Sequence, residues 1–117
     1  MTGGITYHPK LYVSSEITPR QLVKIQTLLS KRPLLADVYL ITYASNPSDM
    51  LEFYESKILE QSYFKKKEIV ILGLAKSYNS AMGLMETILK DCLAARNDCN
   101  VRAFFTAKVE SHSKGAL

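Results

Sequence analysis

Residue types able to hold an anion collect at three turns of this chain. Ser14, Ser15 and Glu16 follow a first apolar run; Ser45, Asn46 and Ser48 follow a second; Lys76, Ser77, Tyr78 and Asn79 follow a third. Two of these turns read as helix starts, and helix N-termini present unpaired N–H groups to anions. Lys76 adds a positive charge beside one of them. Ser14, Ser45, Asn46, Lys76, Ser77 and Tyr78 are therefore the candidate ligand-binding set, for a phosphate, a nucleotide or a carboxylate. The same residue types also close helix ends in any α/β domain, so a purely structural reading stands beside the functional one.

Catalytic and metal motifs are weak. Gly73-Leu74-Ala75-Lys76-Ser77 ends in Lys-Ser, as a phosphate loop does. It lacks the first Gly and the Gly before Lys, and its span is apolar. No GxGxxG occurs. His8 and His112 lie in the terminal segments, and no second His or Cys stands at ligand spacing. No metal and no cofactor are expected. Glu16, Asp49, Glu52 and Glu55 fall at helix starts or on exposed faces, where carboxylates compensate helix dipoles. Cys92 and Cys99 match neither a redox CxxC nor a zinc knuckle. They read as free thiols, Cys92 in a helix and Cys99 at the start of a strand, although a bridge between them is geometrically possible.

Basic residues form a second candidate surface. Lys31 and Arg32 end a first helix, Lys65, Lys66 and Lys67 follow a second, and Arg96 ends a third. A shared rim of this kind could touch nucleic-acid phosphates. Positive charge near helix C-termini is also what the dipole favours, and no recognition helix or aromatic ladder accompanies the lysines. Nucleic acid is therefore the weaker partner class.

The elements that must position these residues follow from the apolar period. Lys10–Ser15 alternates as a half-buried strand. Thr18-Pro19-Arg20-Gln21 has the form of a capping box with Pro in the first turn, and Leu22, Ile25, Leu28 and Leu29 make the buried stripe behind it. Pro33 stops that helix. Asp37–Ala44 is apolar on both faces and predicts a central, parallel strand. Asn46 and Pro47 predict a second helix, with Met50 or Leu51, then Tyr54, Ile58 and Leu59, on its stripe. Glu68–Ala75 is the strongest strand. A third helix is expected over Asn79–Arg96, carried by Ala81, Leu84, Met85, Ile88, Cys92 and Leu93, with Gly83 explained by a close approach to the sheet. Val101–Ala107 reads as a last strand. Tyr39 and Tyr43 share one side of the second strand, near Tyr12; their rings are expected to pack under helices with their hydroxyls at the rim, or, if that face lacks helices, to cover the sheet or meet another subunit.

The order βαβαβαβ predicts a single α/β domain: a mostly parallel four-stranded sheet with three helices and right-handed crossovers. The core is expected over about residues 10–108, with flexible termini. Strand order stays open.

The blocks ITYASNPSDMLEFY and LEQSYFKKKEIVILGLAKSYNSAMGLME resemble short bacterial proteins of no assigned function that carry a similar Asn-Pro turn and a similar Gly-Leu-Ala-Lys turn. The resemblance covers about half of the chain. It implies no activity, cofactor or catalytic residue.

Composition fits this picture. The chain has 117 residues, 47% apolar and 22% charged, with a formal charge of +4. Those values are ordinary for a folded domain and far from the disordered class. No run reaches the length of a membrane span, and the first residues lack the layout of a signal peptide. The expected setting is the cytoplasm, away from membranes. The expected function is a non-enzymatic binding or assembly module, homodimeric or engaging a protein partner. The alternatives are a small-anion enzyme or sensor at the carboxyl edge of the sheet, and weak nucleic-acid contact through the basic rim.

Overall fold

A computed structural model describes residues 5–43, 51–60 and 69–106. Strand β1 spans Ile5–Val13, helix α1 Pro19–Lys31, the single turn α2 Pro33–Ala36, β2 Tyr39–Tyr43, β3 Leu51–Glu55, a 3-10 turn Ser56–Glu60, β4 Ile69–Ala75 and helix α3 Tyr78–Arg96. Residues 101–106 are helical. The four strands form one sheet in the order β1-β4-β2-β3.

The sheet is mixed, not mostly parallel. β1 and β4 are parallel, but β2 runs antiparallel to both of its neighbours, β3 and β4. The physical reason lies in residues 51–60, expected to be helical. Leu51 and Phe53 alternate with Glu52 and Tyr54, and this period-2 pattern pairs with β2, Tyr39 opposing Glu55 and Tyr43 opposing Leu51. Apolar spacing there fits a helix as well, so length and pairing decided the outcome. Asn46 and Pro47, the expected start of that helix, lie outside the described residues.

The run Val101–Ala107 is likewise corrected. Residues 101–106 are helix, not strand. Val101, Phe104 and Phe105 are buried at helical spacing, and Asn100 Oδ1 accepts from the Ala103 N–H at 3.2 Å, an N-cap bond. A short run of β-branched and aromatic residues carries no strand signal of its own when its buried positions recur at i, i+3 and i+4.

The sheet carries a core on each face. Ile25 and Leu29 of α1, Ala36 of α2 and Leu59 pack on Leu40, Ile69, Ile71 and Leu74. Across the sheet, Ile88 and Cys92 of α3 with Val101, Phe104 and Phe105 pack on Ile41, Leu51 and Leu72. β4 serves both layers because successive side chains point to opposite faces, and a bulge shifts that phase: Ile41 opposes Gly73 while Thr42 opposes Ile71, leaving Leu72 extra. A side chain at Gly73 would stand 3.2 Å from both Ile41 Cδ1 and Leu84 Cδ2 and 3.3 Å from the Tyr12 carbonyl oxygen. Gly73 is thus the glycine of close approach. Gly83 is not: a Cβ there would meet nothing within 4 Å, contrary to the expectation from sequence.

β1 begins at Ile5, five residues ahead of the expected strand and inside the segment expected to be flexible. Between Tyr7 and Tyr12 its register slips against β4, at the place where Pro9, without an N–H, is tolerated on an edge strand. His8 is buried there. The Lys10 N–H donates to its Nδ1 at 3.0 Å, so Nε2 carries the proton and donates to the Phe105 carbonyl oxygen at 3.0 Å. The imidazole edge also meets the Phe105 ring, centroids 4.7 Å apart. One terminal histidine therefore fastens an edge strand to the last described helical turn.

Candidate functional site

The direction of β2 decides which candidate residues meet. β1 and β4 are parallel, so Ser14 at the end of β1 and Lys76, Ser77 and Tyr78 after β4 emerge at one rim. β2 enters the sheet at that rim, Tyr39 opposing Ala75, and leaves at the other. Ser45 and Asn46 follow its far end and lie outside the described residues, as do Lys65, Lys66 and Lys67. Lys31 and Arg32 are exposed at the end of α1.

At the shared rim the helix N-termini are already closed from within. Thr18 Oγ1 accepts from the Gln21 N–H at 3.2 Å and the Gln21 side chain accepts from the Thr18 N–H at 3.0 Å, the capping box read in the sequence. Ser77 Oγ accepts from the Ser80 N–H at 3.1 Å. The Ser80 hydroxyl donates to the Glu16 carboxylate. Glu16 thus places a carboxylate beside the N-terminus of α3, and Ser77 acts as a cap. The Ser14 backbone is tied to Leu74 and Ile17 at 3.0 Å each, while its buried hydroxyl has no hydrogen-bond partner among the described residues.

Acid–base chemistry finds little footing among the described residues. Both ring nitrogens of His8 are engaged, and His112 lies outside the described residues. No group of three or more His, Cys, Asp or Glu is placed to hold a metal among them. A shallow depression of about 310 Å³ is lined by Tyr54, Glu55, Lys57 and Ile58. Its charged groups answer each other: Lys57 Nζ lies 2.9 Å from Glu55 Oε2, and that bond holds the Glu55 carboxyl below its ordinary range.

A different surface stands out beside Tyr78. Tyr39, Phe53 and Tyr78 form a three-ring cluster, with centroids 5.9 Å (Tyr39–Phe53), 6.3 Å (Tyr39–Tyr78) and 5.4 Å (Phe53–Tyr78) apart. Tyr39 Oη donates to Glu55 Oε1 at 3.3 Å. Tyr39, Ile41 and Tyr43 share this face, as the spacing predicts, and Tyr12 joins it, its hydroxyl donating to Asp91 at 2.6 Å. From Tyr78, 56% exposed, the apolar surface continues along α3 through Met82, 46% exposed, half-buried Leu89, and Leu93, 50% exposed. Leu93 is therefore at the open margin of the helix and not in its core face. These positions are separated by four, seven and four residues, a single stripe on a helix. Sequence reasoning named Tyr39 and Tyr78 but missed the stripe; the width of the apolar arc on α3, broader than one sheet contact needs, was the available signal.

Comparison with protein-family models, with curated proteins and with solved structures finds no match. No helix among the described residues is long and apolar enough to cross a membrane.

Proposed function

We propose that this chain is a non-enzymatic assembly module that pairs with a second copy of itself along helix α3. The observation that carries this reading is the exposed stripe Tyr78, Met82, Leu89 and Leu93 continuous with the Tyr39–Phe53–Tyr78 cluster. A two-fold contact requires a self-complementary patch. The stripe has that property: about a midpoint beside Met85, Tyr78 mirrors Leu93 and Met82 mirrors Leu89. Two antiparallel copies of α3 would set Tyr78 against Leu93 of the second copy and Met82 against its Leu89. Glu86 and Lys90, an exposed ion pair at 2.9 Å, would flank the seam. Contiguous exposed apolar patches are one mark of protein–protein contact surfaces.

Light scattering over a dilution series of the full chain tests the proposal. The expected result is a dimer that dissociates on dilution. The double variant Met82→Glu, Leu93→Glu places charge on the stripe and is expected to remain monomeric with its far-ultraviolet spectrum unchanged. A strict monomer at every concentration for the wild type, or an undisturbed dimer for the variant, overturns it.

A further inference from the structure

Cys92 and Cys99 flank the C-terminal end of α3. Cys92 is fully buried, and its thiol donates to the Asp98 carbonyl oxygen at 3.4 Å. Asn97 ends the helix in the left-handed region, φ 62°, with its N–H bonded to the Leu93 carbonyl at 2.8 Å. That residue turns the chain back, so the peptide linking Asp98 to Cys99 lies against the last helical turns. Asp98 is held in place by Arg96 Nε at 3.0 Å and by the Asn100 N–H at 3.1 Å. Cys99 itself is exposed.

Because the Asp98 carbonyl oxygen is only two bonds from the Cys99 nitrogen, covalent geometry puts Cys92 Sγ within about 6 Å of the Cys99 Cα. A Cys99 rotamer turned toward α3 would bring its sulfur toward Cys92 Sγ, and the exposed turn would close the remaining gap to disulfide length. We propose that Cys92 and Cys99 are a modification site, forming a reversible intrachain disulfide that fastens the end of α3 to the segment entering helix 101–106.

The oxidant is a low-molecular-weight disulfide such as glutathione disulfide. The Cys99 thiolate attacks one of its sulfurs, the S–S bond breaks, and one glutathione thiolate leaves. Cys92 then gives up its proton to water, attacks the Cys99 sulfur and expels the second glutathione as thiolate. Two protein thiols are oxidised, one small disulfide is reduced to two thiols, and the two protons released balance the two thiolates. Burial pushes the Cys92 thiol up, with Asp98 and Cys99 adding to the effect, so the second step is the slow one. Cys92 shares its cluster with Val101, Phe104 and Phe105, and the bridge would therefore restrain the layer that His8 also holds.

The test incubates the reduced full chain with excess glutathione disulfide in native buffer and reads intact mass without reductant. The expected product is lighter than the reduced chain by about 2 Da, yields a peptide cross-linked through Cys92 and Cys99, melts several degrees higher, and reverts with dithiothreitol. Cys99→Ser is expected not to react; Cys92→Ser is expected to stop at the glutathione adduct. Cys92 lies in the core, so the wild-type mass decides even where that variant does not fold. A persistent glutathione adduct on the wild type, a dimer linked through Cys99, no reaction, or a bridge that forms only in urea overturns the proposal.

Discussion

Gly83→Ala is expected to raise the stability of this chain, and Gly73→Ala to lower it. Gly83 sits in the interior of α3, is exposed, and has no positive φ. A methyl group there meets nothing within 4 Å, so contact energy neither helps nor hinders. What remains is backbone entropy, which favours Ala over Gly in a helix interior by about 1 kcal/mol. For a chain of this size that corresponds to a melting-temperature rise of about 4 °C. At Gly73 the same entropic gain is present but space is not. The added methyl would stand 3.2 Å from Ile41 Cδ1, 3.2 Å from Leu84 Cδ2 and 3.3 Å from the Tyr12 carbonyl oxygen. Side-chain tips can rotate aside. The carbonyl belongs to β1 and moves only with its strand. Overpacking of this kind costs about 1–3 kcal/mol, which outweighs the entropic term.

Urea unfolding of the two variants beside the wild type measures both effects. The slope with denaturant should stay constant while the midpoints move in opposite directions. A neutral or destabilising Gly83→Ala would mean that the open side of α3 is covered after all. A stabilised Gly73→Ala would mean that the contact between α3 and the bulge in β4 is looser than the packing described above, and the assignment of Gly73 as the residue of close approach would be wrong.

Three further outcomes follow from single residues. His8→Ala leaves the Phe105 carbonyl and the Lys10 N–H without their present partners and is expected to cost about 3 kcal/mol; a loss under about 1 kcal/mol in the same assay would dismiss the clasp. Burial pushes the Tyr7 phenol up to about 12 from its ordinary 10.0. The native state thus keeps a proton that the unfolded state releases, so this contribution is intact below pH 10 and is lost as pH rises toward about 12. Tyr7→Phe deletes a buried hydroxyl with no hydrogen-bond partner in the structure and is expected to flatten that decline and add up to about 1 kcal/mol at neutral pH; identical alkaline profiles for the two proteins would refute this. Ser77→Ala removes the cap of α3 at a cost of about 1 kcal/mol; a thermal stabilisation by phosphate that the wild type shows and this variant loses would be inconsistent with a role as a cap alone.

Much of the layout was legible where local chemistry is directional. Thr18, Pro19 and Gln21 fix the start of α1 through bonds within one turn, and such bonds form whatever the rest of the chain does. The apolar runs of β2 and β4 also announced central strands, and the sheet order places both inside. Direction was not legible. Burial on both faces predicts a parallel strand, but β2 is buried on both faces while antiparallel to its neighbours. Short mixed runs misled in the same way: LEFYE and VRAFFT each satisfy a strand and a helix template. Pairing with β2 chose strand for the first, and the cap from Asn100 with a core slot for Phe105 chose helix for the second. His8 escaped notice because its role is set by a residue far along the chain.

The reversal of β2 bears on function more than any other difference. A parallel βαβ unit would have laid a crossover helix between the second strand and its successor, covering the sheet and lining its carboxyl edge with helix starts. A β2–β3 antiparallel pair does neither. It carries β2 away from the rim that holds Ser14 and Lys76; Ser45 and Asn46 lie outside the described residues. It also makes β3 an edge strand, with Phe53 on the face beside the exposed margin of α3. One topological change thus opens the aromatic and aliphatic surface on which the assembly reading rests. The Glu16 carboxylate, bonded to the Ser80 hydroxyl at the start of α3, opposes an anion there, and a Glu16→Gln variant that shows no thermal stabilisation by phosphate would count against the anion reading on electrostatic grounds.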